Sequence, residues 1–270
     1  MFNKDTQLCI SLSSRPSNFG TTLHNAAYVD LGLNFVYKAF GISDLAGAMM
    51  GVRALNIRGC SVSMPFKEAV LSLLDEVDCT ASAIGAVNTV VNEAGRLTGY
   101  NTDADGARKA LEFIKARPGE SVLLMGAGGV ARAIVFALRQ IGFSQVLVTN
   151  RDLKKVNLLN SILPCEAVPW EERHKIGADL LINATSVGMS PDVEQTPMEA
   201  EFLGQSRAVV DVVVSPMETK LIREASLLGL MVAPGHFISL EQMIAQFRLY
   251  TGVVPPRALL ESKMRELQNK

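Results

Sequence analysis

Residues 121–133 read Ser-Val-Leu-Leu-Met-Gly-Ala-Gly-Gly-Val-Ala-Arg-Ala. An apolar run of strand character, 121–125, meets Gly126, Gly128 and Gly129. Helix formers follow over 130–140, and a second apolar strand candidate comes at 146–149. Gly126, Gly128 and Ala131 fit the spacing G-x-G-x-x-G/A, in which each small residue has its own task. Gly126 permits a tight turn. Gly128 has no Cβ, so backbone there can approach a pyrophosphate. Ala131 lets the helix pack close to the strand. The helix start then offers N–H groups and a positive dipole end to phosphate. A glycine-rich turn alone says little. A strand before it, and a helix and strand behind it, make it a dinucleotide-binding βαβ unit. Ala127, Gly129 and Val130 lie in the same turn and join the expected cofactor contacts.

Upstream, apolar runs at 8–12, 35–40 and 59–64 predict strands. Helices are expected from Thr21 or Thr22 as cap, over 45–55, and over an amphipathic 66–77 opened by Pro65. That order is a parallel α/β pattern. Segments 86–91 and 97–100 flank Asn92-Glu93-Ala94-Gly95 and predict a hairpin. A helix over 103–116 ends at Arg117-Pro118-Gly119-Glu120. Downstream, strands are expected at 121–125, 145–149, 179–183, 208–214 and 230–233, with helices at 129–141, 152–162 and 219–228. Helices at 239–250 and 256–267 lie too far past the last strand to complete its sheet. They are expected to fold back on the first domain. The expected architecture is α/β. An N-terminal α/β substrate domain, 1–102, is completed by 238–270, and a Rossmann-like doubly wound domain spans 103–237.

With 270 residues, 48% of them apolar, the chain can bury a sizeable core. A net charge of −1 makes no case for nucleic acid or an anionic membrane surface. No apolar run is long enough to span a bilayer, and Met-Phe-Asn-Lys-Asp opens no signal peptide. Four cysteines without a C-x-x-C, and three histidines, form no metal set. They are expected to be reduced, mostly core thiols of a cytoplasmic protein. No repeat is visible. The partners expected are a small-molecule substrate and, at most, a second copy of the chain, so monomer and homodimer both stay open.

Three polar groups interrupt apolar sequence in the first half. Lys67 sits in Ser61-Val62-Ser63-Met64-Pro65-Phe66-Lys67-Glu68. At the start of the helix expected there, a cation is opposed by the dipole, which suits a proton-transfer group. A solvated surface lysine is the plainer alternative. Asp103, in Asn101-Thr102-Asp103-Ala104-Asp105, is either a helix cap or the partner of that lysine. Asn88, between Val87 and Val90, either faces a cleft or is a buried amide bonded to backbone.

In the second half, Asn150-Arg151-Asp152 follows the second strand of the βαβ unit. An acid there suits the ribose diol of NAD, and an arginine suits the 2′-phosphate of NADP. Asp152 is equally a helix cap. Asn183-Ala184-Thr185-Ser186-Val187-Gly188-Met189 follows a buried-type strand, and its small residues suit close approach of a ligand. His24, His174 and His236 are isolated and are expected to be packed or surface groups.

Ser63-Met64-Pro65-Phe66-Lys67-Glu68, Gly85-Ala86-Val87-Asn88-Thr89, Asn101-Thr102-Asp103, Gly126-Ala127-Gly128-Gly129, Asn150-Arg151 and Asn183-Ala184-Thr185-Ser186-x-Gly188-Met189 occur in that order. Together they resemble the shikimate/quinate dehydrogenase family over nearly the whole chain. The resemblance implies a substrate domain, a Rossmann-like domain and an active site in the cleft between them. It implies oxidoreduction of a ring hydroxyl of shikimate or quinate with NAD or NADP. The family's catalytic lysine and aspartate match Lys67 and Asp103. Its substrate-binding asparagine matches Asn88, its hydroxyl residue before the lysine matches Ser63, and its late glutamine matches Gln242. Cofactor contacts are implied at Gly126–Ala131, Asn150, Arg151, Asp152, Thr185, Ser186, Val187, Gly188, Met189, Val212 and Gly235.

The chain departs from the pattern at its first loop. Alignment on His24-Asn25 puts Asn18 and Gly20 where the family has two serines that hold the substrate carboxylate. Val214 replaces a tyrosine, and Gly235-His236-Phe237 replaces Gly-Leu-Gly. This looks like a shikimate dehydrogenase-like paralogue, with poor turnover of shikimate or a related substrate. Asp152 resembles members that accept NAD, so NAD is favoured over NADP. An amino-shikimate-type dehydrogenase and a nucleotide-binding regulatory protein with relic catalysis are the alternatives.

Overall fold

Alternating strands and helices resolve into two six-stranded sheets, one in each of two units. The computed structural model describes residues 2–268. The first unit holds the chain up to Thr102 and from Gln242 on, and the second holds Asp103–Glu241.

The first unit contains β1 (Gln7–Ser13), α1 (Asn18–Asp30), β2 (Phe35–Gly41), α2 (Leu45–Ala54), β3 (Gly59–Val62), β4 (Glu76–Val77), α3 (Cys79–Ile84), β5 (Thr89–Glu93) and β6 (Arg96–Tyr100). The sheet order is β2-β1-β3-β5-β6-β4. β1 to β3 are parallel, and β5 runs antiparallel to both its neighbours. Side chains alternate across the sheet. Ile10, Leu12, Cys60, Val62 and Val90 bury one face against Leu45, Met49 and Val52 of α2. Ser11, Ser61 and Thr89, in register across β1, β3 and β5, share the other face with Tyr37. The hairpin turn uses Ala94 and Gly95 at φ 51° and 90°, the backbone a two-residue loop requires.

The second unit contains α4 (Asp103–Phe113), β7 (Val122–Met125), α5 (Gly129–Ile141), β8 (Leu147–Thr149), α6 (Leu153–Ile162), β9 (Glu166–Val168), β10 (Leu180–Asn183), α7 (Ala200–Leu203), β11 (Ala208–Asp211), α8 (Lys220–Leu227) and β12 (Met231–Ala233). Its strands are all parallel in the order β12-β11-β10-β7-β8-β9. The sheet therefore grows outward from β7 in both directions, a doubly wound Rossmann-like arrangement. All four residues of β7 are buried, as a strand covered on both faces requires. α9 (Gly235–Thr251) and α10 (Arg257–Gln268) close the chain, and from Gln242 on they belong to the first unit.

Three expectations are corrected. α1 starts at Asn18 with Ser17 as cap residue, not at Thr21 or Thr22. Residues 66–77 form no α-helix: turns lead into a 3-10 helix at Ala69–Leu73 and then β4. There the backbone spends its hydrogen bonds on the hairpin, from Asp75 N–H to Leu97 O and from Asp78 N–H to Gly99 O. The same apolar spacing still buries Val70, and Leu71, Leu74 and Val77 pack beside it. Of the cysteines, Cys9 and Cys60 are buried, whereas Cys79 is exposed and Cys165 half-buried.

His24 is the buried centre of the first unit's second face. Its ring stacks on Tyr37 at 4.3 Å, and Phe247 and Tyr250 of α9 lie at 5.7 and 5.8 Å. Burial pushes its pKa from 6.5 down to about 3. The unfolded chain binds this proton below pH 6.5 and the native fold does not, so stability falls as pH drops from 6.5 toward 3. The slope from this group reaches about 1.4 kcal/mol per pH unit. His24→Phe keeps an aromatic ring and removes the titration. Urea unfolding followed by circular dichroism should show a shallower loss of stability on acidification than wild type. Equal slopes would remove His24 as the cause.

Candidate functional site

In a parallel sheet the loops that can reach a ligand leave the carboxyl ends of the strands, at the point where strand order reverses. Here that point lies between β7 and β10. Gly126–Ala131 leaves β7, Asn150–Asp152 leaves β8, Thr185–Met189 leaves β10, Val212 leaves β11 and Gly235 follows β12. The structure thus brings every expected cofactor residue to one edge of one sheet. Gly126 N–H bonds Thr149 O at 2.8 Å, and Ala184 N–H bonds Met125 O at 2.7 Å, so adjacent loops are stitched together.

The glycines divide by physical role. Gly126 has φ +114°, and a Cβ there would lie 2.6 Å from Ala184 O. The fold itself needs that glycine. Gly235 is similarly bound, since a Cβ would meet Val213 O at 2.1 Å. At Gly128 and Gly129 a Cβ meets nothing within 4 Å. No protein atom accounts for the missing side chains there. Open space over the start of α5, where Gly128 is the cap residue without a capping side chain, fits the pyrophosphate of a dinucleotide.

A buried polar set holds the β10 loop. Asn183 Nδ2 donates to Asp211 Oδ1 at 3.0 Å, and Asn183 Oδ1 accepts from Thr185 N–H at 3.0 Å and its hydroxyl at 2.6 Å. Asp211 also accepts from Val213 N–H at 3.0 Å and the Thr219 hydroxyl at 2.6 Å. Burial pushes the Asp211 carboxyl up to about 6, against those hydrogen bonds. Asp211 and Thr219 were not among the expected site residues, although an acid closing the apolar run Ala208-Val209-Val210-Asp211 is a readable signal. Asp152 caps α6, accepting from Lys154 N–H at 3.0 Å, and Asn150 Nδ2 bonds Asp152 O at 2.9 Å. Arg151 and Asp152 are exposed.

The first unit gathers a second polar set. Lys67 O accepts from Val87 N–H at 2.8 Å, Asn88 N–H donates to Tyr100 O at 3.0 Å, and Asn88 O accepts from Val62 N–H at 2.8 Å. Lys67, Asn88 and the chain leading to Asp103 are thus tied to neighbouring strands. Asn88 is 1% exposed, and its Oδ1 accepts from Thr102 N–H at 2.8 Å. Its side-chain oxygen is therefore held by backbone within the first unit. Asn101 Nδ2 bonds Ala86 O at 2.8 Å. Asp103 is buried as the first residue of α4. Lys67 lies in turns, so no helix dipole opposes it, contrary to expectation. Ser63 is exposed just past β3, and Gln242 is half-buried on α9.

Asn18 is exposed in the first turn of α1, and Gly20 packs on Tyr37. A Cβ at position 20 would lie 3.1 Å from Tyr37 Cε1 and 3.2 Å from its hydroxyl. A larger residue would press on a buried ring. Of the histidines, His236 Nδ1 lies 3.2 Å from Met217 O, and His174 lies 3.2 Å from Glu199. Among the described residues no group of three His, Cys, Asp or Glu side chains could hold a metal ion, and no helix is long and apolar enough to cross a membrane.

Residues 17–90 match the family model for the shikimate dehydrogenase substrate binding domain, and 107–218 match shikimate / quinate 5-dehydrogenase. The chain is 42% identical over 262 residues to a shikimate dehydrogenase-like protein of Haemophilus influenzae, covering 96% of each. Its fold is similar to shikimate 5-dehydrogenase of Thermus thermophilus in complex with NADP(H) and shikimate, with TM-score 0.85, 36% identity and coverage of 96% and 98% of the two chains. It is also similar to quinate dehydrogenase of Corynebacterium glutamicum in complex with NAD, with TM-score 0.90, 29% identity and coverage of 98% and 100%.

The two classes of glycine predict two outcomes. Gly128→Ser fills open space and keeps a capping residue, so stability without ligand should stay within about 0.5 kcal/mol. Its NADH affinity, read by fluorescence titration, should fall at least about tenfold. Gly126→Ala should instead lower the melting temperature of the ligand-free protein. Unaltered NADH affinity in Gly128→Ser would remove the open turn from the cofactor site.

Proposed function

Because the chain belongs to the shikimate/quinate dehydrogenase family, we propose that it transfers hydride between NAD(P) and the hydroxyl-bearing ring carbon of shikimate, quinate or a related cyclic polyhydroxy carboxylate. The observation that carries this reading is the polar set of the first unit. The Lys67 backbone is bonded to the residue before Asn88, and Asn88 is bonded to the residue before Asp103. The bound dinucleotide supplies the hydride acceptor. Lys67, assisted by Asp103, takes the proton from the substrate hydroxyl as its carbon is oxidised, and returns it in the reverse direction. A positive charge at that oxygen also stabilises the developing alkoxide. Asn88, Ser63 and Gln242 orient the ring hydroxyls.

Asn18 and Gly20 bear on which carboxylate is accepted. Neither carries a hydroxyl, and Tyr37 occupies the space beside Gly20. This supports slow turnover of shikimate itself and a related substrate as the better one. The same loop favours a second reading, a nucleotide-binding regulatory protein. That protein would bind NAD(H) tightly and oxidise no member of a panel of shikimate, quinate and amino-shikimate analogues, followed by NADH absorbance.

General acid–base help of this kind contributes about 10²–10⁴-fold. Lys67→Ala should lower kcat by that order on the best substrate of the panel and leave NADH affinity unchanged. An unchanged kcat would sink the assignment.

For the cofactor, we propose that NAD is preferred. Asp152, exposed at the end of β8, suits the ribose diol of NAD and repels a 2′-phosphate, while Arg151 beside it suits a phosphate. Parallel titrations should show tighter binding of NADH than NADPH, and Asp152→Thr should narrow or reverse the difference. A preference of about tenfold for NADPH in wild type would overturn the proposal.

A further inference from the structure

His236, one of the departures from the family pattern, has no part in the proposed reaction, yet it holds a loop at the edge of the second sheet. The segment from Val213 to Thr219, between β11 and α8, is pinned at alternate residues. Val213 N–H donates to Asp211 Oδ1 at 3.0 Å, and the Thr219 hydroxyl donates to Asp211 Oδ2 at 2.6 Å. Between them, Ser215 O accepts from Ser190 N–H at 2.9 Å. Met217 O lies 3.2 Å from Nδ1 of His236, in the first turn of α9. Two of these pins come from the end of β11 and one from the segment after β10. His236 is the pin that comes from α9. All of these residues belong to the second unit.

The direction of the His236 bond is fixed by its partner. A backbone carbonyl has no proton to give, so Nδ1 carries the hydrogen and donates it. That holds for the neutral ring and for the imidazolium alike. His236 is half-buried, and Gly235 beside it is buried. At Gly235 a Cβ would lie 2.1 Å from Val213 O and 2.7 Å from the Val212 carbonyl carbon. α9 therefore starts in close backbone contact with the head of the same loop, while His236 holds its far part. The close approach and the hydrogen bond together fix the spacing of Val212 and Gly235, just past the ends of the paired strands β11 and β12.

Sheet order decides which part of a dinucleotide meets them. On the reading of this edge as a dinucleotide site, the open turn at Gly128 and Gly129, after β7, takes the pyrophosphate. Asp152, after β8, then faces the ribose of the adenosine half. The other half of the molecule lies on the opposite side of β7, over β10, β11 and β12. We propose that His236 is a positioning residue for the nicotinamide half, setting the distance between Val212 and Gly235 through its bond to Met217 O. The inference rests on the reading of the sheet edge as the cofactor site.

Two ligands separate the halves. NADH carries the nicotinamide ring, whereas ADP-ribose has the adenosine, the pyrophosphate and the second ribose without it. His236→Leu keeps similar bulk and removes the donor. His236→Asn keeps a donor, since the asparagine amide nitrogen falls near the place of Nδ1. In calorimetric titrations His236→Leu should bind NADH about three- to tenfold more weakly than wild type, the loss of one hydrogen bond. Its affinity for ADP-ribose should change by less than about twofold. His236→Asn should recover most of the NADH affinity. Equal losses for both ligands, an unaltered NADH affinity in His236→Leu, or an asparagine variant as weak as the leucine one overturns the proposal. A wild type that binds neither ligand overturns the cofactor reading and the proposal with it, whereas equal losses from a wild type that binds both overturn the proposal alone.

Nitrogen NMR of the ligand-free wild-type protein at about pH 8 tests the bond independently of how the variants fold. His236 should carry its proton at Nδ1. A ring protonated at Nε2 alone overturns the proposal.

Discussion

The bond from Thr102 N–H to Asn88 Oδ1, 2.8 Å long and fully buried, is the constraint on which the first unit's polar chemistry depends. A backbone N–H cannot reverse its role, so it tells a side-chain amide which way to face. Asn88 in turn sits where three strands meet, bonded through its backbone to β6 and to the end of β3. An unpaired amide in that position costs roughly 1–3 kcal/mol. Donors on its oxygen offset that cost and leave one orientation. A polar network satisfied to this degree specifies geometry more than it adds stability.

The second unit obtains its geometry from topology. Six parallel strands send every βα loop to the same edge, so residues as distant in sequence as Gly126 and Gly235 share that edge. Asn183 and Asp211 refine this by tying the ends of β10 and β11 and shaping the Thr185 turn. Thr219 returns from the cap of α8 to share the Asp211 carboxylate. Two adjacent strands thereby present their loops as one surface. Membership of an oxidoreductase family whose solved members hold NADP(H) in one case and NAD in another agrees with a surface built for a dinucleotide.

The two units solve a similar problem by different means. One aligns its functional groups by a side-chain network across a mixed sheet. The other aligns them mainly by backbone direction, with the Asn183–Asp211 pair fixing one loop. In the α1 loop the exposed Asn18 can vary without touching the sheet beneath it, whereas the buried Tyr37 ring beside Gly20 keeps that position small.

Glycine spacing, apolar runs and the order of strands and helices determined the doubly wound sheet, the βαβ turn and the family, because those features are local or periodic along the chain. The sheet-edge placement of Asn150, Thr185 and Val212 followed from strand order. Residues 66–77 misled because their apolar spacing suits a helix, whereas their backbone partners lie on a hairpin some twenty residues away. No local pattern reports that. The Asp211 cluster and the buried hydrogen bonds that link Tyr28, His24, Gln246, Thr89 and Asn88 were equally out of reach, since each joins residues far apart in sequence. Tertiary structure alone decided that Asn88 Oδ1 meets the Thr102 N–H and that the His24 ring lies between Gln246 and Tyr28. Both depend on contacts between groups that only folding brings together.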